Sequence, residues 1–208
     1  MPTSHQYQIN EIVELITLAQ PNKVLDIGAG FGKYGFLTRE FLELWDGRET
    51  IDNWQRTIEG VEAFENYLTP VHDYIYDKIH KGTIQETLPS LGDDYDMIMM
   101  IDVFEHFDYD EGVQILKDCL KKSKYILMSI PRDIGDQGEA FENPLEEHKF
   151  QWRAKHFKDF GPVYFLPNPY SLICLIGNGA PDIGKKRNRR ALGGVAMRIL
   201  DFLHLRKV

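Results

Sequence analysis

Residues Val24 to Gly35, VLDIGAGFGKYG, constrain this chain more than any other stretch. Val24, Leu25 and Ile27 form an apolar run suited to a strand buried on both faces of a parallel sheet, and Asp26 interrupts the run near its carboxyl end. Gly28, Gly30 and Gly32 follow on alternate positions, and Tyr34, Leu37, Phe41 and Leu44 then recur at helical spacing. A strand, a glycine-rich turn and a helix in that order make a ligand cradle. The glycines remove Cβ atoms that would hold a ligand off the backbone and permit angles other residues avoid. The helix start offers unpaired N–H groups to whatever sits there.

Spacing separates three nucleotide-binding patterns, with an ordinary tight turn as the plain alternative. A P-loop needs Gly, four residues, then Gly-Lys-Ser/Thr. Gly32-Lys33 supplies the Gly-Lys, but Ile27 stands where the first Gly belongs and Tyr34 where the hydroxyl belongs. The dinucleotide fingerprint G-x-G-x-x-G fits Gly30, Gly32 and Gly35 only out of register, because the glycine run already begins at Gly28. The third pattern, acid-x-Gly-x-Gly-x-Gly, matches at Asp26, Gly28, Gly30 and Gly32. It resembles the motif of the class I S-adenosylmethionine (SAM)-dependent methyltransferases.

Two further segments carry that resemblance. Gly60-Val61-Glu62 is similar to the family's Gly-Val-Asp/Glu at the end of the second strand, where an acid accepts both ribose hydroxyls of a nucleotide. Tyr95 to Asp102 reads as a fourth strand and runs into Val103-Phe104-Glu105-His106-Phe107, similar to the family's strand-four motif. The resemblance spans roughly residues 5 to 178. It implies an α/β, Rossmann-like fold: a mostly parallel seven-stranded sheet with a C-terminal antiparallel hairpin and helices on both faces. The implied cofactor is SAM, with S-adenosylhomocysteine (SAH) as product. Its contacts are expected from Asp26, Gly28, Ala29, Gly30, Gly32, Tyr34, Glu62, Ala63, Thr83, Ile84, Asp102 and Val103. Relatives often carry Asp at the adenine contact; Thr83 replaces it here, and Ile84 is expected against the ring.

The rest of the chain falls around this frame. Ile9, Ile12, Val13 and Ile16 predict an amphipathic helix over 5–19, which either covers the cofactor site or packs on the sheet. Residues 46–56 read as an insertion, bordering the substrate or lying on the surface, and 63–68 as a helix. The third strand is either 75–79 or 78–81. A helix with Val113, Leu116 and Leu120 on one face leads to a fifth strand, 125–130. Residues 132–149 form a long polar loop leaving the carboxyl edge of the sheet, where substrate lids lie. A helix over 150–160 and strands at 163–166 and 171–176 complete the domain, 1–180, before a tail, 181–208.

Methyl transfer from a sulfonium is an in-line displacement that rests mainly on positioning, and a hydroxyl acceptor benefits from a general base. His106 and His148 are the candidates, with Glu105 as orienter; each imidazole otherwise only bonds to backbone. His72, His80 and Asp77 show no ligand spacing, so no metal site is expected. The expected acceptor is a small molecule, sugar or lipid with an O or N nucleophile. The competing classes are a SAM-binding protein without catalysis and an NAD-dependent oxidoreductase.

Composition bounds the setting. With 208 residues, 43% apolar and 27% charged, the chain resembles an ordinary globular domain. It has no run of about 18 apolar residues that would span a membrane. MPTSHQYQINEI lacks a basic start and apolar stretch, so no secretory signal is expected. Cys119 and Cys174 read as reduced, packed thiols, which points to the cytoplasm. The net charge is −8, yet 185–208 holds eight Lys/Arg against Asp201 alone, so a +7 tail leaves −15 on the body. Leu192, Val195, Ala196, Ile199, Leu200 and Leu203 give that tail an apolar face. Docking on the acidic body, in the same subunit or within a homodimer, is one reading; peripheral contact with an anionic membrane is the other. Nucleic acid is disfavoured, because the acidic body repels phosphates.

Overall fold

The computed structural model describes residues 4–202, and the side chains of 4–193. Five strands run parallel: β1 (Lys23–Ile27), β2 (Thr57–Glu62), β3 (Lys78–Lys81), β4 (Tyr95–Ile101) and β5 (Ser123–Pro131). β6 (Val163–Leu166) and β7 (Ser171–Ile176) complete one sheet in the order β3-β2-β1-β4-β5-β7-β6, with β7 antiparallel to both neighbours. The helices are α1 (Ile9–Ala19), α2 (Lys33–Leu42), α3 (Pro70–Ile75), α4 (Ile84–Thr87), α5 (Tyr109–Lys122) and α6 (Ala180–Phe202). The expected sheet and hairpin are both present.

Successive strand residues face opposite layers. Val24, Met97 and Leu127 pack on one side with Ile12, Leu15 and Ile16 of α1 and Ala180 and Ile183 of α6. Leu25, Ile98 and Ile126 pack on the other with Leu116 of α5 and the aromatic rings of Phe104, Trp152 and Phe157. α5 is held at its start by the Asp108 side chain, which accepts from the Glu111 N–H at 3.0 Å. Asp110 and Glu111 in its first turn and Lys121 and Lys122 in its last complement the helix dipole.

Some local expectations are corrected. Residues 63–68 hold only a 3-10 turn, Glu65–Tyr67; the helix begins later, at Pro70, where Thr69 and His72 form a capping box. The third strand is Lys78–Lys81. Residues 150–152 are irregular rather than helical, and a 3-10 segment runs from Ala154 to Phe160. α6 begins at Ala180, and its Ala180 and Ile183 are core residues. Arg187 donates to Glu14 of α1 at 2.9 Å and Tyr164 donates to Asn188 at 3.0 Å, so the basic helix starts out docked on its own body. The side chains of Val195, Ala196, Ile199 and Leu200 lie outside the described set, as does Leu203 altogether. No described helix is long and apolar enough to cross a membrane.

The 46–56 insertion precedes β2 and so lies at the amino end of the sheet. It wraps the fully buried Glu43, whose carboxylate accepts from Arg48, from Arg56 N–H at 2.6 Å and from Gln55 N–H at 3.0 Å.

Candidate active site

Beyond the carboxyl ends of β1, β2 and β4 lies a cavity of about 710 Å³, within the range of small-molecule sites. The glycine loop forms its floor. Gly28, Gly30 and Gly32 all take left-handed backbone angles, with φ of 71°, 54° and 84°. At Gly28 a Cβ would come within 2.4 Å of Val103 Cγ2, so the loop's approach to the end of β4 requires glycine. The N–H groups of Gly28 and Ala29 donate to the Val61 carbonyl at 2.9 and 3.1 Å, tying the loop to β2. Glu62 ends β2 almost fully buried. One carboxylate oxygen accepts from Gly30 N–H and the other from Phe64 N–H, each at 2.8 Å. Burial raises its pKa, and these N–H bonds oppose the rise.

Ala29, Tyr34, Ala63, Thr83, Ile84, Asp102 and Val103 join Gly28, Gly30 and Glu62 in the wall. Thr83 is also the N-cap of α4, bonded to Glu86. Three expected site residues stand outside the wall. Gly32 caps α2 and backs onto Ile75. Glu105 lies behind the two imidazoles. Asp26 sits beneath the loop, its carboxylate accepting from the Tyr76 hydroxyl at 2.7 Å.

Burial carries the Asp26 pKa from 3.8 to about 7, partly opposed by the Tyr76 bond. Between those pH values the folded protein binds a proton that the unfolded chain has released. Stability drawn from Asp26 therefore falls as pH rises through this window. At about 1.4 kcal/mol per pKa unit, the loss is on the order of 4 kcal/mol. Asp26→Asn is expected to remove that slope. Urea midpoints of both proteins at several pH values between about 4 and 8 check this, and parallel profiles would refute it.

Asp102 turns the chain out of β4 with φ 54°, a left-handed angle for a residue with a side chain. Its carboxylate accepts from the Ser129 hydroxyl at 2.6 Å and from the Gln8 amide at 2.7 Å. The segment before α1 is thereby drawn across the cavity mouth, where His5 stacks on Tyr170 with centroids 5.3 Å apart. Lys33 secures the same segment through the Ser4 carbonyl at 2.7 Å, and burial lowers its pKa. So α1 packs on the sheet while its approach covers the site. Sequence reasoning missed Ser4, His5, Gln8 and Lys33; a polar Gln8 directly before an apolar helix was the available signal.

The loop after β5 forms the remaining wall. Tyr67 donates to Glu146 at 3.1 Å and Gln137 to the Glu146 carbonyl at 2.7 Å, while Lys149 N–H donates to the Glu105 carbonyl at 2.9 Å. These bonds set His148 against His106, ring centroids 5.2 Å apart. His106 Nδ1 meets the Glu147 carbonyl at 3.0 Å and His148 Nδ1 meets the Ile134 carbonyl. A carbonyl only accepts, so each neutral ring carries its proton on Nδ1 and leaves Nε2 a lone pair. Burial lowers the His106 pKa and, with Asp102 nearby, raises that of Glu105 well above the usual range.

Metal-ligand spacing is absent along the chain, but one set of donor groups meets in space. His72 meets the Gly30 carbonyl and His80 meets Glu59, and among the described residues neither belongs to a set of three or more donors. Donor atoms of Glu105, His106 and His148, however, all lie within 4.8 Å of one another. Spacing along the chain hides this, because the loop after β5 folds back beside β4.

No protein-family model matches the sequence, and no curated protein matches it significantly. Solved structures do match. An O-methyltransferase family protein from Burkholderia thailandensis superposes with TM-score 0.58 at 16% identity, over 83% of this chain. The chain spans only 55% of that protein's length. The N-terminal domain of EvdMO1, solved with SAH and D-fucose, gives TM-score 0.58 at 15% identity over 83% of both chains. Magnesium protoporphyrin IX methyltransferase from Synechocystis, solved with SAM, gives 0.53 at 13% identity, over 82% of this chain and 78% of that one. At such identities the likeness is one of architecture: this chain has the Rossmann-like fold of the class I SAM-dependent methyltransferases.

Proposed function

We propose that this protein transfers a methyl group from SAM to an oxygen nucleophile on a small-molecule acceptor. One observation carries the reading: the glycine loop, the buried Glu62 carboxylate and the His106–His148 pair all open on a single cavity. Cofactor and acceptor can therefore meet in one chamber.

The residues suit the cofactor. A carboxylate has about four acceptor positions, and Glu62 uses two on Gly30 and Phe64, which leaves two for a ribose diol. Ile84 and Val103 offer apolar walls to a base, and the loop at Gly28 has no side chain to obstruct approach. SAM, when bound, supplies a methyl activated on sulfur. The chain's own contribution is to hold the acceptor oxygen in line with that methyl, where correct positioning alone removes much of the barrier. His106 and His148 line the end of the cavity where the acceptor is bound and loses its proton.

The test is calorimetric titration with SAM, SAH and NADH, followed by an acceptor screen read as SAH formation. Sugars come first, since the EvdMO1 domain was solved with one. Micromolar SAM binding with SAH released against at least one acceptor is the expected result. Binding without turnover on any acceptor would favour a regulatory SAM-binding role, and preference for NADH would overturn the reading.

A further inference from the structure

Deprotonating one hydroxyl needs one imidazole, yet this site brings together two imidazoles and a carboxylate. Both rings are turned alike, Nδ1 on a backbone carbonyl and Nε2 free, which is how carbonyls orient metal-binding histidines. Glu105 is 1% exposed, and its Oε2 has no hydrogen-bond partner among the described residues. A buried carboxylate oxygen left without a partner is costly unless a proton or a cation meets it.

We propose that Glu105, His106 and His148 bind a divalent transition-metal ion, with its remaining coordination positions open to the cavity. Donors about 2.0–2.2 Å from such an ion stand roughly 3 Å apart when adjacent, so the present separations of up to 4.8 Å close by small side-chain rotations. Two imidazole donors favour Fe, Co, Ni or Zn over Mg or Ca.

The role of the ion rests on the methyl-transfer reading. It binds the acceptor's hydroxyl oxygen and lowers its pKa. The proton leaves to solvent water, the oxygen forms the bond to the methyl carbon, and the S–CH3 bond breaks with its electron pair remaining on sulfur. The acceptor is then an alcohol or phenol whose reacting oxygen can reach the ion.

The experiment is titration of chelator-treated protein with Co2+, followed by visible absorption and calorimetry, on wild type, His148→Ala and Glu105→Gln. One site per chain is expected, weakened at least about tenfold by each substitution. SAM affinity is measured on the same samples and should stay within about threefold of wild type, which shows that the variants are folded. No stoichiometric Co2+ binding by wild type, or binding that survives both substitutions, overturns the metal site. Intact Co2+ binding without SAM binding would sustain the site and remove methyl transfer instead.

Discussion

Trp152→Ala is expected to lower stability by about 3–5 kcal/mol, the usual cost of truncating a large buried aromatic. Trp152 is 1% exposed. Its ring lies 4.6 Å from that of Phe104, 4.9 Å from Phe150 and 5.7 Å from Phe157, centroid to centroid. The fit is close enough that a Cβ on Gly112 of α5 would come within 2.3 Å of the indole. Phe104 immediately precedes Glu105 and His106, and Phe150 to Trp152 follow His148, so this cluster clamps both arms of the histidine pair. Loss of the indole frees those arms. Acceptor and metal affinity should fall further than SAM affinity, because the glycine loop packs elsewhere. For a chain of this length, the midpoint of thermal unfolding should drop by about 10 °C. Thermal melts and paired SAM and Co2+ titrations check both parts. A variant as stable as wild type would show that the cluster does not brace the site, and Trp152→Phe should recover much of the loss.

The framework was legible wherever burial is two-sided. β1, β4 and β5 are continuous apolar runs because helices cover both faces of the sheet, and the glycine register fixed the loop between β1 and α2. The rule that ligands sit beyond the carboxyl ends of such strands located Asp102, Glu105 and His106. Legibility failed where local signals were weak or misread. β3 is a four-residue edge strand with no fully buried position, so its pattern is faint. The start of α3 is written in Thr69-Pro70, a capping residue before a proline at the first helical position, yet the apolar residues after Glu62 suggested an earlier helix. Phe150 and Trp152 mimic a helical stripe but sit on irregular backbone that feeds the aromatic cluster. The meeting of His148 with His106 has no sequence signal, since it joins distant segments, and the polar Gln8 before α1 hints at a contact without naming Asp102 as its partner.

Glu62→Gln should weaken SAM binding by about 10- to 100-fold, or about 1.4–2.8 kcal/mol. The carboxylate serves two purposes with four acceptor positions: it pins Gly30 and Phe64 by their N–H groups and presents its remaining lone pairs to the cavity. Glutamine keeps the shape but turns one oxygen into a donor. Whichever way the amide points, its NH2 faces a backbone N–H, and one loop contact is lost. Hydrogen bonds to a charged group contribute about 1.5–3 kcal/mol, so one such bond accounts for most of the expected effect before any ribose contact is counted. If Glu62 only braced the loop, SAM and SAH affinities would fall together with a marked loss of stability. If it also holds the ribose, affinity falls further than the urea midpoint predicts, and adenosine loses as much affinity as SAM. Unchanged SAM affinity in a folded Glu62→Gln protein would remove Glu62 from the cofactor site.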